Sequence, residues 1–162
     1  LRVLIRKFTL TLPLNPTLHQ PLEYRLKAQL DDAARSVKRN IEEGWKRPTT
    51  KEYLVFLGYS QASLAEVKGD IEDARVDGFL PSRPGSTLLS KGFDLRVYKG
   101  PRKGENWGEP TDPRHPYSKA LSLLDPKTIS YEMFIELINK TDNLLIRLVS
   151  SLETKEKVSH RW

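Results

Sequence analysis

The sequence predicts an all-α protein, an antiparallel four-helix bundle with a long irregular insertion between its third and fourth helices. Three observations carry this. Apolar residues recur at three- and four-residue steps through three long stretches, the period of a helix with one buried face. Two of those stretches meet at a short turn rich in helix breakers, as an antiparallel helical pair requires. The composition, 38% hydrophobic and 30% charged, suits narrow apolar stripes under solvated outer faces better than a sheet. With 162 residues, no internal repeat and one continuous pattern, residues 1–162 read as a single domain, with an insertion at 82–126.

Residues 1–21 carry two patterns. Val3, Leu4 and Phe8 have helical spacing, whereas Phe8, Leu10, Leu12 and Leu14 alternate as a strand would, so the segment reads as a short helix fraying into an extended connector. Pro13, Pro16 and Pro21 bar a regular helix across the join. The second helix follows over about 22–43, with Leu22, Leu26, Leu30, Ala33, Ala34, Val37 and Ile41 on one face. Ala33 and Ala34 let a partner helix come close. Gly44 stands where a left-handed residue would end the helix, although Trp45 leaves room for a further turn, and Pro48 enforces the break.

Thr49 with Glu52 has the form of a capping box and starts the third helix. Its stripe is Tyr53, Phe56, Leu57, Ser60, Leu64, Val67, Ile71 and Ala74, ending at Asp77-Gly78 with Pro81 beyond. In the antiparallel register Ser60 faces the region of Ala33. Ser63 and Glu66 fall a step off the stripe, placed to bond to the second helix or to another subunit. Residues 82–126 differ in kind. They hold five of the nine glycines, and so read as an excursion, with Phe93, Leu95 and Val97 alternating like a short strand and residues 117–124 forming a short helix after Pro116. A last helix spans about 130–155, with Tyr131, Phe134, Ile135, Ile138, Leu145, Leu148, Val149 and Leu152 along one side.

The net charge is +6 and the pI about 9.5, which favours anionic partners and also keeps a protein soluble. With no cysteine, disulfides and thiolate metal sites are excluded, and the absence suits a reducing cytoplasm. No apolar run approaches the roughly 20 residues that span a bilayer. The chain opens on Leu1 rather than methionine, as an incomplete reading frame would, so a targeting segment is left open.

The stretch from Ser36 resembles the four-helix-bundle proteins encoded within intervening sequences of bacterial 23S ribosomal RNA genes. Asn40, Glu43-Gly44, Lys46-Arg47, Lys51-Glu52-Tyr53, Phe56, Leu57 and Ser63-Leu64-Ala65-Glu66 carry the likeness, which covers roughly residues 26–80, and residues 135–152 look like the family's final helix. The chain departs from the family in its proline-broken first helix and in the insertion. The resemblance implies an antiparallel bundle that closes into a homopentameric ring with a basic surface. A more distant branch of the fold, the accessory variability protein of diversity-generating retroelements, binds a reverse transcriptase and nucleic acid.

Nucleic acid is recognised by cations on phosphates and by planar groups under bases. Two stretches offer both. Trp45, Lys46 and Arg47 with Lys51 contain no acid before Glu52. Arg96, Lys99, Arg102 and Lys103 surround Tyr98 and precede Trp107. The same residues also suit an ordinary solvated turn and loop. Along the outer face of the second helix, Asp31 stands four before Arg35 and Glu42 four before Lys46, so that charge can be internally paired. Asn40 is placed to satisfy backbone groups of the 44–50 turn, a structural role favoured over direct ligand contact. Glu66 is placed to pair with Lys27 or with a neighbouring subunit.

No enzyme signature emerges. His19, His115 and His160 sit in a connector, the insertion and a tail, and no helical Glu-x-x-His pair, phosphate-binding glycine loop or nucleophile elbow occurs. No metal or cofactor is expected. The sequence therefore points to a non-enzymatic, cytoplasmic, oligomeric adaptor whose partner is RNA, DNA or a nucleic-acid enzyme such as a reverse transcriptase. The competing reading is a structural or protein-interaction module whose basic residues serve solubility.

Overall fold

The computed structural model describes residues 1–12, 21–95, 115 and 117–159, and the regular elements among these are all helices, with no strand. The elements are α1 (Arg2–Thr9), α2 (Pro21–Trp45), α3 (Thr50–Val76), α4 (Ser118–Leu123) and α5 (Tyr131–Ser159), with 3-10 turns at Leu89–Lys91 and Pro126–Thr128. α3 packs against both α2 and α5, and α1 packs on α2. An edge-to-face contact between Phe8 and Phe134, 5.7 Å between ring centres, links α1 to α5.

α2 and α3 form an antiparallel hairpin. Gly44 near the end of α2 lies against Tyr53 and Phe56 near the start of α3, and Ser60 further along α3 donates to the carbonyl of Val37, about two turns back on α2, at 3.0 Å. Ser60 thus meets the turn after Ala33 and is fully buried. The capping box forms: the Thr49 hydroxyl accepts from the Glu52 amide at 3.2 Å and donates to the Glu52 carboxylate at 2.7 Å. The core joins Leu30, Val37, Leu57, Leu64, Val67 and Ile71 of the hairpin to Ile5 and Phe8 of α1 and Phe134 and Ile138 of α5.

The helix ends differ from the expectation at several points. α2 continues through Gly44 to Trp45, and Gly44 is not among the glycines with positive φ. Its role is close approach: a Cβ there would lie 2.6 Å from a ring carbon of Tyr53. α1 ends in a turn, with Leu12 buried but Leu10 exposed, so the alternation there is not a strand. Leu14, Pro13, Pro16 and His19 lie outside the described residues. Phe56 is half-buried rather than part of the sealed stripe. α5 runs on to Ser159.

The described part of the excursion is built onto the start of α5. Gly78, at φ 80°, turns the chain out of α3. The Tyr131 amide donates to the Pro81 carbonyl at 3.0 Å, Ser82 Oγ and the Arg83 amide donate to the Glu132 carboxylate, and the Leu88 amide donates to Glu136 at 2.8 Å. Burial would raise the Glu132 carboxyl, but the bonds from Ser82 and Arg83 prevail and hold it at about 2. Phe93 and Leu95 lie on irregular backbone, correcting the expected strand, whose third member Val97 lies outside the described residues. Phe93 packs beside Tyr117, 5.8 Å between centres, and the Tyr117 hydroxyl donates to the Asp94 carbonyl at 2.8 Å. α4 matches the short helix expected after Pro116.

Candidate nucleic-acid interface

The tip of the hairpin gathers planar and cationic groups because its two helices approach so closely. Gly44 has no side chain to separate α2 from α3, so Tyr53 and Phe56 both crowd the position its Cβ would take. Trp45, 76% exposed, meets the buried Tyr53 edge to face at 6.0 Å. Burial pushes the Tyr53 hydroxyl above its usual range, so the supporting ring stays neutral. The Arg47 guanidinium lies over the Phe56 ring at 4.5 Å, and Phe56 meets Tyr59 edge to face at 5.8 Å. Tyr59 and Val55 are both exposed. A guanidinium stacked by its face keeps its N–H edges for hydrogen bonds to phosphate.

The charges of the tip are less neutralised than the sequence suggested. Arg35 pairs with Asp32, not Asp31, and Asp31 instead accepts weakly from the Thr9 hydroxyl at 3.4 Å. Glu42 pairs with Lys38 at 3.4 Å, which leaves it off Lys46. Lys46, Arg47 and Lys51 are exposed, and none of the three joins an ion pair among the described residues. Glu52 is engaged by its cap, and Glu43 is the nearby exposed acid.

Other residues singled out from the sequence are placed differently. Asn40 is half-buried but does not serve the turn, which closes on itself through Lys46 N–H to Glu43 at 3.2 Å and Arg47 N–H to Gly44 at 3.0 Å. Ser63 is buried on α3, and Glu66 is exposed and does not pair with Lys27. Arg96, Lys99, Arg102 and Lys103, with Tyr98 and Trp107, lie outside the described residues, as does His160. His115 is buried against Tyr117, whose amide donates to its Nδ1 at 3.2 Å. Two features escaped the sequence reading. The Arg47–Phe56 stack has no local spacing signature, and the Glu132 and Glu136 anchors act some fifty residues back along the chain. Among the described residues no helix is long and apolar enough to cross a membrane.

The model of the 23S rRNA-intervening sequence protein family matches residues 9–93. That span contains the whole α2–α3 hairpin and the 3-10 turn after it, and excludes α4 and α5. No curated protein and no solved structure matches the chain.

Proposed function

Because the chain belongs to the 23S rRNA-intervening sequence protein family, we propose that it is a non-enzymatic helical-bundle adaptor that binds nucleic acid through the tip of the α2–α3 hairpin. The observation that carries this reading is the tip itself: exposed Trp45, Arg47 over the Phe56 ring, and Lys46 and Lys51 outside any ion pair among the described residues. Cations that no described acid neutralises can displace counterions from a phosphate chain. The proposed adaptor works in the cytoplasm as a homo-oligomer, a pentamer of antiparallel four-helix bundles, with a reverse transcriptase as one candidate protein partner.

Exposed apolar residues on α5 support assembly. Leu144 and Ile146 are exposed beside half-buried Leu148, Val149 and Leu152. Assembly would multiply a tip that is only modestly cationic, because several weak contacts made at once gain by avidity.

Light scattering during size exclusion, with and without RNA at low and high salt, tests both parts. A salt-resistant oligomer that shifts with RNA at low salt is the expected result. Binding should weaken steeply with salt, and Lys46→Glu with Arg47→Glu should abolish most of it. A defined oligomer that ignores RNA at low salt would leave the structural-module reading in its place.

A further inference from the structure

We propose that the hairpin tip selects unpaired nucleic acid over duplex, with bases stacking on Trp45 and on the Arg47–Phe56–Tyr59 group. This rests on the nucleic-acid reading above and adds which form of the polymer the tip accepts.

The argument begins with charge. The tip offers Lys46, Arg47 and Lys51, while Glu43 stands exposed beside them. Three cations release few counterions, so phosphate contacts alone give weak and indiscriminate binding. A duplex, with its bases stacked inside, presents this surface with little besides phosphate.

Planarity supplies what charge lacks. Trp45 is the most exposed large apolar side chain in the described residues, at 76%. Leaving an indole in water forgoes substantial burial, and its edge-to-face contact with Tyr53 favours one orientation of the ring. Arg47 is likewise held by Phe56 at 4.5 Å, and Tyr59, 56% exposed, continues the group along α3. Their supports, Tyr53 and Phe56, both crowd the Cβ position of Gly44, so Trp45 and Arg47 rest on residues packed where the two helices meet. Preoriented rings lose little freedom on binding. A single strand supplies both of the matching features, splayed base faces and a phosphate backbone.

The test uses the full chain and fluorescence anisotropy with two labelled probes, a short oligouridylate and an RNA duplex of the same length. The single strand should bind more tightly. Trp45→Ala should weaken it about 5- to 150-fold, the loss of one base stack, and weaken duplex binding far less. Trp45→Phe should restore much of the loss, which a role in folding alone would not predict at so exposed a position. Lys46→Glu with Arg47→Glu should lower binding of both probes. Equal or tighter duplex binding, with Trp45→Ala silent and the charge reversal still effective, would overturn the selectivity while leaving the nucleic-acid reading standing. Binding of neither probe, or binding that ignores both sets of changes, would remove the two together.

Discussion

Replacing Gly44 with alanine tests the junction on which the hairpin tip depends. The added Cβ would lie 2.6 Å and 3.0 Å from two ring carbons of Tyr53 and 2.7 Å from the Cβ of Phe56. Carbon atoms pack at about 3.5–4.0 Å, so the deficit approaches an ångström. The Tyr53 ring can swing, but the Phe56 Cβ rides on the α3 backbone and moves only if the helices part. Overpacking of this kind costs about 1–3 kcal/mol. Alanine's helix propensity returns up to about 1 kcal/mol, and less in a last turn. The expected net is a loss of about 0.5–2 kcal/mol. Gly58→Ala and Gly69→Ala are internal controls, because both lie within α3 and a Cβ at either meets nothing within 4 Å. Each should gain up to about 1 kcal/mol from propensity. Urea midpoints at constant m-value read all three changes. A Gly44→Ala protein as stable as wild type, or stabilised like the controls, would refute the close approach.

Other outcomes follow from single contacts. Thr49→Ala removes both arms of the cap and should cost about 1 kcal/mol, read by chemical denaturation. Glu132 is held at about 2, below its ordinary 4.5. Its contribution is therefore fully present above pH 4.5 and is lost as pH falls toward 2. Wild type should lose stability over that interval more steeply than Glu132→Gln, and hydrogen exchange should show the Arg83 amide losing protection first. Ser60→Ala should cost about 1 kcal/mol, the value of a hydrogen bond to a carbonyl. Ser60→Leu, forced into a fully buried site between helices, should cost more by overpacking, and comparing the two unfolding midpoints separates the effects.

The hairpin was legible because periodicity and the Thr49–Glu52 box are local signals, and both act through the backbone of their own helix. Gly44 was legible only in part: the further turn that Trp45 left room for is made, while the left-handed cap is not. A glycine after an apolar turn has the same local signature whether it reverses the chain or admits a neighbouring helix, and only the position of Tyr53 and Phe56 decides. The ion pairs shifted because Arg35 reaches Asp31 and Asp32 from the same helix turn, and side-chain torsion rather than spacing selects between them. Asn40 lost its expected role once the amides of Lys46 and Arg47 found carbonyls within the turn. At the candidate site the residue types of the tip could be read directly, but not the stacking of Arg47 on Phe56 or the release of Lys46 from Glu42, both of which need coordinates. Residues 82–95 looked irregular because their order comes from carboxylates on a helix that begins far downstream.

The Phe93–Tyr117 contact and the Tyr117–Asp94 hydrogen bond bring the two borders of residues 96–114 together. Contacts across 23 residues of sequence thereby seat α4 beside the Leu89–Lys91 turn, and a substitution at Tyr117 acts on both segments at once.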